Sequence, residues 1–498
     1  MKNYVKKICA ILAALMLISA LAIAFSSCKD ETPDGTESNS DVVESTKDTS
    51  GGDQTDVDVD YMTVLPDGKF DFVEIKFLTK QGNYPYMFET TDGGIDGSVS
   101  KEVAAMEAFL EATYEVELTY EWTFSHNDEF NPVFYEALSG GRELDIVCPD
   151  FYYGLETSGG VKNMLEYSDI IKFENPYWIS GWNDQATING KLYNPASYIG
   201  LDVAKLPEVI FFNQYMAEDL KITEDLFQLV RDEKWTLEEM KKMMLLGVQD
   251  TGDAGMTFDD NYGLVYNLWS GRALLNGAGF ALGKNVEGDI SFDLVGAKNI
   301  DIFQDVYKFV HYDNDSYYSP QPVTGNREKD GRFIFIDNRA LFMADNVSLS
   351  STVSQYLDSF GVIPLPMYDL DQGGYITPLM GCIWNSIMYN SENDIASATI
   401  LEAMAIYSYE KVYPVYYEDT LKLRYQSDPE SAEMIDLIRD SIRIDLAFIF
   451  TKQFDLIADT PFNLIAAEDR NYSSSMKKHI DTIDIQLADL KEFYGLTE

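Results

Sequence analysis

From residue 70 onward, hydrophobic and polar positions alternate between two periods. In "FVEIKFLTK" (72–80) Val73, Ile75 and Phe77 share one face, which predicts a strand. "SVSKEVAAMEAFLEATY" (98–114) places Val103, Met106, Phe109 and Leu110 at helical spacing behind serine caps. "VELTYEWTF" (116–124) predicts a second strand, residues 128–138 a short amphipathic helix, and "LDIVCPD" (144–150) a continuous apolar strand. The order β-α-β-α-β is the signature of a mostly parallel sheet covered by helices. Ligands gather at the carboxyl ends of such strands, so Asp150, Tyr152 and Tyr153 are site candidates by position.

Further on, "NGKLYNPASYI" and "EVIFFNQYM" read as extended segments. In "KWTLEEM" Thr236 is an N-cap, with Glu239 three positions later completing a capping-box pattern. "YGLVYNLWSG" and "RALFMADNVSLS" are predicted apolar strands that end near Trp269 and Asn346. "FGVIPLPMYDLDQGGYITPLMGCIWNS" reads as extended chain passing between units, and the last hundred residues are mainly helical. No internal repeat is seen.

The amino-terminal sixty residues obey neither period. Lys2, Lys6 and Lys7 precede an apolar run from Ile8 to Phe25, which describes a secretory leader over residues 1–27. The alternative is an uncleaved anchor helix. Phe25-Ser26-Ser27-Cys28 resembles the lipobox of bacterial lipoproteins, with Phe25 where Leu is usual, and the resemblance implies lipidation of Cys28. Residues 29–60 then carry eleven acidic residues against Lys29 and Lys47, with no aromatics. Such a tract cannot bury enough apolar surface to offset its ordering entropy, so 28–60 is expected to be a solvated tether. Either reading of the leader puts the folded part outside the cytoplasm, on a membrane.

Charge narrows the partners. Loss of Lys2, Lys6 and Lys7 with the leader takes the net charge from −46 to −49. A body this acidic repels phosphate backbones, which makes nucleic acid a poor partner, mildly disfavours anionic ligands and leaves cationic or neutral ones open. Aromatics at 13% exceed what a core needs and make aromatic binding surfaces plausible. Cys148 and Cys382 are the cysteines left in the body, read as two buried thiols or as one bridge between distant segments; no metal-binding cysteine pattern exists. His126, His311 and His479 stand in unrelated contexts and read as surface residues, so no metal or cofactor is expected. Leu268 occupies the first Gly position of a nucleophile elbow at "LWSGR", and Leu282 the third Gly position of a dinucleotide fingerprint at "GAGFALG".

Several weak motifs in order carry a larger resemblance. "FYEALSGGRELDIVCPD", "NGKLYNPASYIGLDVAKLPEVIFFNQYMAEDL", "RDEKWTLEEM" and "FIDNRALFMADNVSLSSTVSQYLDSFGVIPLPMYD" are similar to successive segments of the extracellular solute-binding lipoproteins that serve sugar-importing ABC transporters, over roughly residues 70–450. The resemblance implies an α/β two-lobe periplasmic-binding-protein type II fold, with discontinuous lobes joined by crossover strands near 197–206 and 369–378. Lobe 1 would take 61–200 with about 369–420, and lobe 2 would take 201–368 with about 421–498. It further implies a monomer that hands a carbohydrate to permease subunits and performs no catalysis.

A pyranose has an apolar face and a hydroxyl rim, so it asks for aromatic platforms and planar amides or carboxylates. The candidate loops offer Asp150, Tyr152 and Tyr153, then Trp269, Asn346 and Ser348, then Trp384 and Asn385. Core packing is the competing role for each aromatic. A secreted glycoside hydrolase and a peptide-binding protein remain as alternatives.

Overall fold

A computed structural model describes residues 59–80, 97–123, 129–149, 154–252, 255–319, 329–379, 381–417 and 429–496. The leader, Cys28 and most of the acidic tract lie outside these residues, as do Asp150, Tyr152, Tyr153 and His126. The described chain belongs to one compact unit beginning at Val59. Among the described residues no helix is long and apolar enough to cross a membrane.

Sheet one is laid down first, by β1 (Val73–Lys80), β2 (Val116–Thr123) and β3 (Ile146–Cys148). Helix α1 (Gly97–Tyr114) joins the first pair and α2 (Asn131–Leu138) the second. Period decides each element. In α1 the buried positions are Val99, Val103, Met106, Leu110 and Tyr114, one stripe at helical spacing. β2 and β3 both run parallel to β1, as the β-α-β-α-β pattern requires.

Sheet two follows, with β4 (Glu208–Asn213), β5 (Tyr262–Tyr266), β6 (Ser316–Tyr318), β7 (Ala340–Asn346) and β8 (Phe360–Ile363). Its order is β8-β4-β7-β5-β6, with β5, β6 and β7 mutually parallel and β4 antiparallel to β7 and β8. The chain then returns to sheet one as β9 (Ser386–Ile387), giving the order β9-β3-β1-β2. The outgoing and returning segments lie side by side: Ala196 bridges Trp384 and Pro207 bridges Leu379, both antiparallel.

Four local readings change. "EVIFFNQYM" leaves the strand at Asn213, whose side chain accepts from Met216 N–H at 2.9 Å and starts a helix at Gln214. "NGKLYNPASYI" makes single bridges and no continuous strand, since its partners at 178 and 384 lie on different segments. The helical reading of the last hundred residues is interrupted: Ile442–Arg443 pair with Thr377–Pro378 before a short helix at Leu446–Ile449. His311 is half-buried, its Nε2 2.7 Å from the Ile465 carbonyl and its ring against Tyr307. Cys148 and Cys382 are both free and buried.

Candidate functional site

The carboxyl ends of β5, β6 and β7 face the same way because the three strands are parallel. A cavity of about 230 Å³ opens there, lined by Tyr266, Asn267, Trp269, Asp330, Arg332, Asp345 and Asn346 among others. β4 enters at the same end, since its antiparallel register sets Glu208 opposite Asn346. The outgoing crossover therefore delivers its first strand residue to the cavity side.

Trp269 is not the end of a strand as the pattern suggested. β5 stops at Tyr266, and Asn267 caps helix α3 (Leu268–Gly277). The Asn267 side-chain oxygen accepts from Trp269 N–H at 2.8 Å and from Ser270 N–H at 3.1 Å. Ser270 Oγ accepts in return from Asn267 N–H at 3.0 Å, a reciprocal capping box. Helix formation beats strand continuation here because this cap satisfies backbone donors that have no intrahelical partner. The consequence is positional: the half-buried Trp269 ring sits in the first helical turn, at the cavity wall. Arg272 lies over that ring at 5.3 Å and bonds to Asp459.

The same Asn267 also holds the acid of the site. Its Nδ2 donates to Asp345 Oδ2 at 3.0 Å. Asp345 Oδ1 accepts from Asn346 N–H at 2.8 Å and from Asn346 Nδ2 at 3.2 Å. Ser348 donates to the other end of that amide, the Asn346 carbonyl oxygen. Asp345 and Glu208 are both buried, at 7% and 1% exposure, and each carboxyl is pushed above its ordinary range. Burial is the main cause in both; repulsion from Asp345 adds to it at Glu208. Nearby, Arg332 grips Asp330 with Nε at 3.0 Å and Nη2 at 2.6 Å, a bidentate pair.

Trp269, Asn346 and Ser348 thus come together around one cavity, with Ser348 reaching it through Asn346. Trp384 and Asn385 do not join them. They stand beside the end of β3, where Trp384 N–H donates to the Pro149 carbonyl and Asn385 N–H to that of Pro195, both at 3.2 Å. Trp384 is fully enclosed and Asn385 is 1% exposed, so neither offers a free face in this conformation. Their surroundings are polar. Trp384 Nε1, Asn385 Oδ1 and both ends of the Asn194 amide, next to Pro195, are buried without a hydrogen-bond partner among the described residues; elsewhere so are both oxygens of Glu156. Glu156 is pushed up to about 8, by burial. Of the other tryptophans, Trp178, Trp182 and Trp235 are interior and spend their indole N–H on Glu402, Asn194 and Pro364.

Sequence reasoning missed Asn267, Asp330, Arg332, Asp345 and Glu208. Asn267 carried a readable signal, an amide three positions before Ser270 at the end of an apolar strand. Asp330 and Arg332 pair locally at a helix start, but their place at the cavity is set by the fold; Asp345 and Glu208 meet only through strand register. Among the described residues no group of histidine, cysteine and carboxylate side chains could hold a metal ion.

No family model and no curated protein matches the chain. Solved structures do. The sugar-binding protein MalE from the phytopathogen Xanthomonas citri is similar with a TM-score of 0.58 at 12% identity, over 86% of this chain and 100% of that one. UgpB from Mycobacterium tuberculosis, in complex with glycerophosphocholine, gives 0.54 at 14% identity over 84% and 99%. Maltose-bound MalE3 of T. maritima gives 0.51 at 15% identity over 85% and 100%. Identity this low speaks to architecture: the chain has the two-lobe type II periplasmic-binding-protein fold.

Proposed function

We propose that this protein is an extracytoplasmic solute-binding lipoprotein that captures a carbohydrate and delivers it to an ABC importer. Ligand would sit between lobe 1 (61–200 with about 369–420) and lobe 2 (201–368 with about 421–498), and the lobes would close over it about the paired crossovers. Cys28 would carry the lipid, and the acidic tract would hold the lobes off the membrane. The partners on this reading are the sugar, the permease subunits and the lipid surface, and the protein binds its ligand without transforming it.

One observation carries the reading. The cavity at the ends of β5 and β7 combines a half-buried indole face with planar groups fixed before ligand arrives. An aromatic platform suits the apolar face of a pyranose, and the Asn346 amide and Asp345 carboxyl suit its hydroxyls. Preorganisation by the Asn267 cap lowers the entropy that binding must overcome.

The test is thermal unfolding of the purified chain against neutral oligosaccharides, followed by analysis of the recovered sugar. Ligand at a hundredfold over its Kd adds about 2.7 kcal/mol of stability. A shift with the sugar returned intact supports capture. Cleaved product would move the reading to a hydrolase, and no shift with sugars but one with peptides would move it to a peptide carrier.

A further inference from the structure

Charge at the cavity selects among sugars. Arg332 is the cationic side chain among the described lining residues, and its bidentate grip on Asp330 makes those two a neutral pair. Asp345 receives neutral donors, from Asn267 and Asn346. Behind it, β4 adds Glu208, whose Oε2 is buried without a partner among the described residues. The groups facing Asp345 are therefore Glu208 from β4, Asn267 from the end of β5, Asp330 and Arg332 from the helix start at 330–332, and Asn346 from its own strand. Their balance is negative. Leaving a buried carboxylate without a counter-charge is costly, and a matched cation recovers that cost where a neutral hydroxyl does not. The indole at the same wall attracts cations through its ring face, and Arg272 already uses it in that way.

We propose that the cavity takes a carbohydrate bearing a protonated amine, with the ammonium against Asp345 and the ring against Trp269; this rests on the capture reading above. Binding places a positive charge beside Asp345, with Glu208 behind it, two buried carboxyls that burial raises above their ordinary range. The ammonium favours the ionised form of both carboxyls, and a proton that Glu208 gives up passes to solvent. Ligand uptake is thus coupled to proton release.

The experiment is titration calorimetry on the purified full chain near neutral pH, with β-1,4-linked glucosamine oligomers of one to four rings and their N-acetylated counterparts. The two series share rings and linkage and differ in the charge on nitrogen. The amino series should bind at least about tenfold tighter, and Asp345→Asn should abolish the preference. In buffers of different ionisation heat, the wild-type chain should release a proton that Glu208→Gln does not. This second readout stands if Asp345→Asn fails to fold. Equal or tighter binding of the N-acetylated series overturns the proposal, and so does failure of the amino series to bind. If neutral oligosaccharides bind while the amino series does not, capture survives and this inference falls. If neither binds, this inference falls, and the capture reading is decided by the thermal-unfolding panel of neutral oligosaccharides.

Discussion

Glu156 is a carboxyl placed where burial opposes ionisation. It is 1% exposed, and both oxygens lack a partner among the described residues. Burial raises it from an ordinary 4.5 to about 8. The folded protein therefore holds this proton more tightly than the unfolded chain does. The resulting stability is fully present below about pH 4.5 and is lost as pH rises through about 8. Each pH unit in that interval is worth about 1.36 kcal/mol, so the interval amounts to roughly 5 kcal/mol. Glu156→Gln keeps the shape and removes the ionisation. We expect urea unfolding of the wild type, followed from about pH 5 to 9, to show a fall that the variant lacks. The difference between the two curves isolates Glu156 from other buried carboxyls such as Asp202, which is pushed up to about 6. Parallel curves would refute the reasoning, for they would mean that Glu156 reaches water or a partner in the folded state.

Three further outcomes are expected. Glu402 accepts from Tyr177 Oη at 2.6 Å, Trp178 Nε1 at 2.9 Å and Lys172 N–H at 3.2 Å, so Glu402→Ala should cost on the order of 4 kcal/mol by urea unfolding, through three donors left unpaired. A methyl added at Gly181 would lie 2.2 Å from the Ile442 carbonyl oxygen, and Gly181→Ala should lower stability by about 2 kcal/mol or more, whereas Gly97→Ala, with nothing within 4 Å among the described residues, should not. Burial raises the thiols of Cys148 and Cys382, so a chain with Cys9 and Cys28 replaced by Ser should resist a thiol-reactive chromophore when native and take up two equivalents when unfolded.

The candidate site divides by the range of the interactions that build it. Trp269, Asn346 and Ser348 were legible because they follow apolar runs, and strand ends in α/β sheets are where ligands gather. The helical setting of Trp269 was recoverable in principle from Asn267 and Ser270, a local signal. Trp384 follows an apolar run too, but its enclosure comes from packing between the end of β3 and the outgoing crossover, which no local pattern encodes.

By itself the sequence determined the period of each element, and with it the parallel β-α-β-α-β unit. Side chains at two- or four-residue spacing must face one way whatever surrounds them. It also determined the negative charge, the count of cysteines in the body and the break in character at Cys28, since composition needs no fold. Only the tertiary structure decided which charges meet. Glu208 and Asp345 are more than a hundred residues apart in the chain, and the antiparallel register of β4 and β7, which sets Glu208 opposite Asn346 and Val209 opposite Asp345, brings the two carboxyls within electrostatic reach. Whether a carboxyl is a solvated surface group or a buried acid with a raised pKa depends on what lies across it, and that is fixed by sheet order and crossover path rather than by adjacent residues.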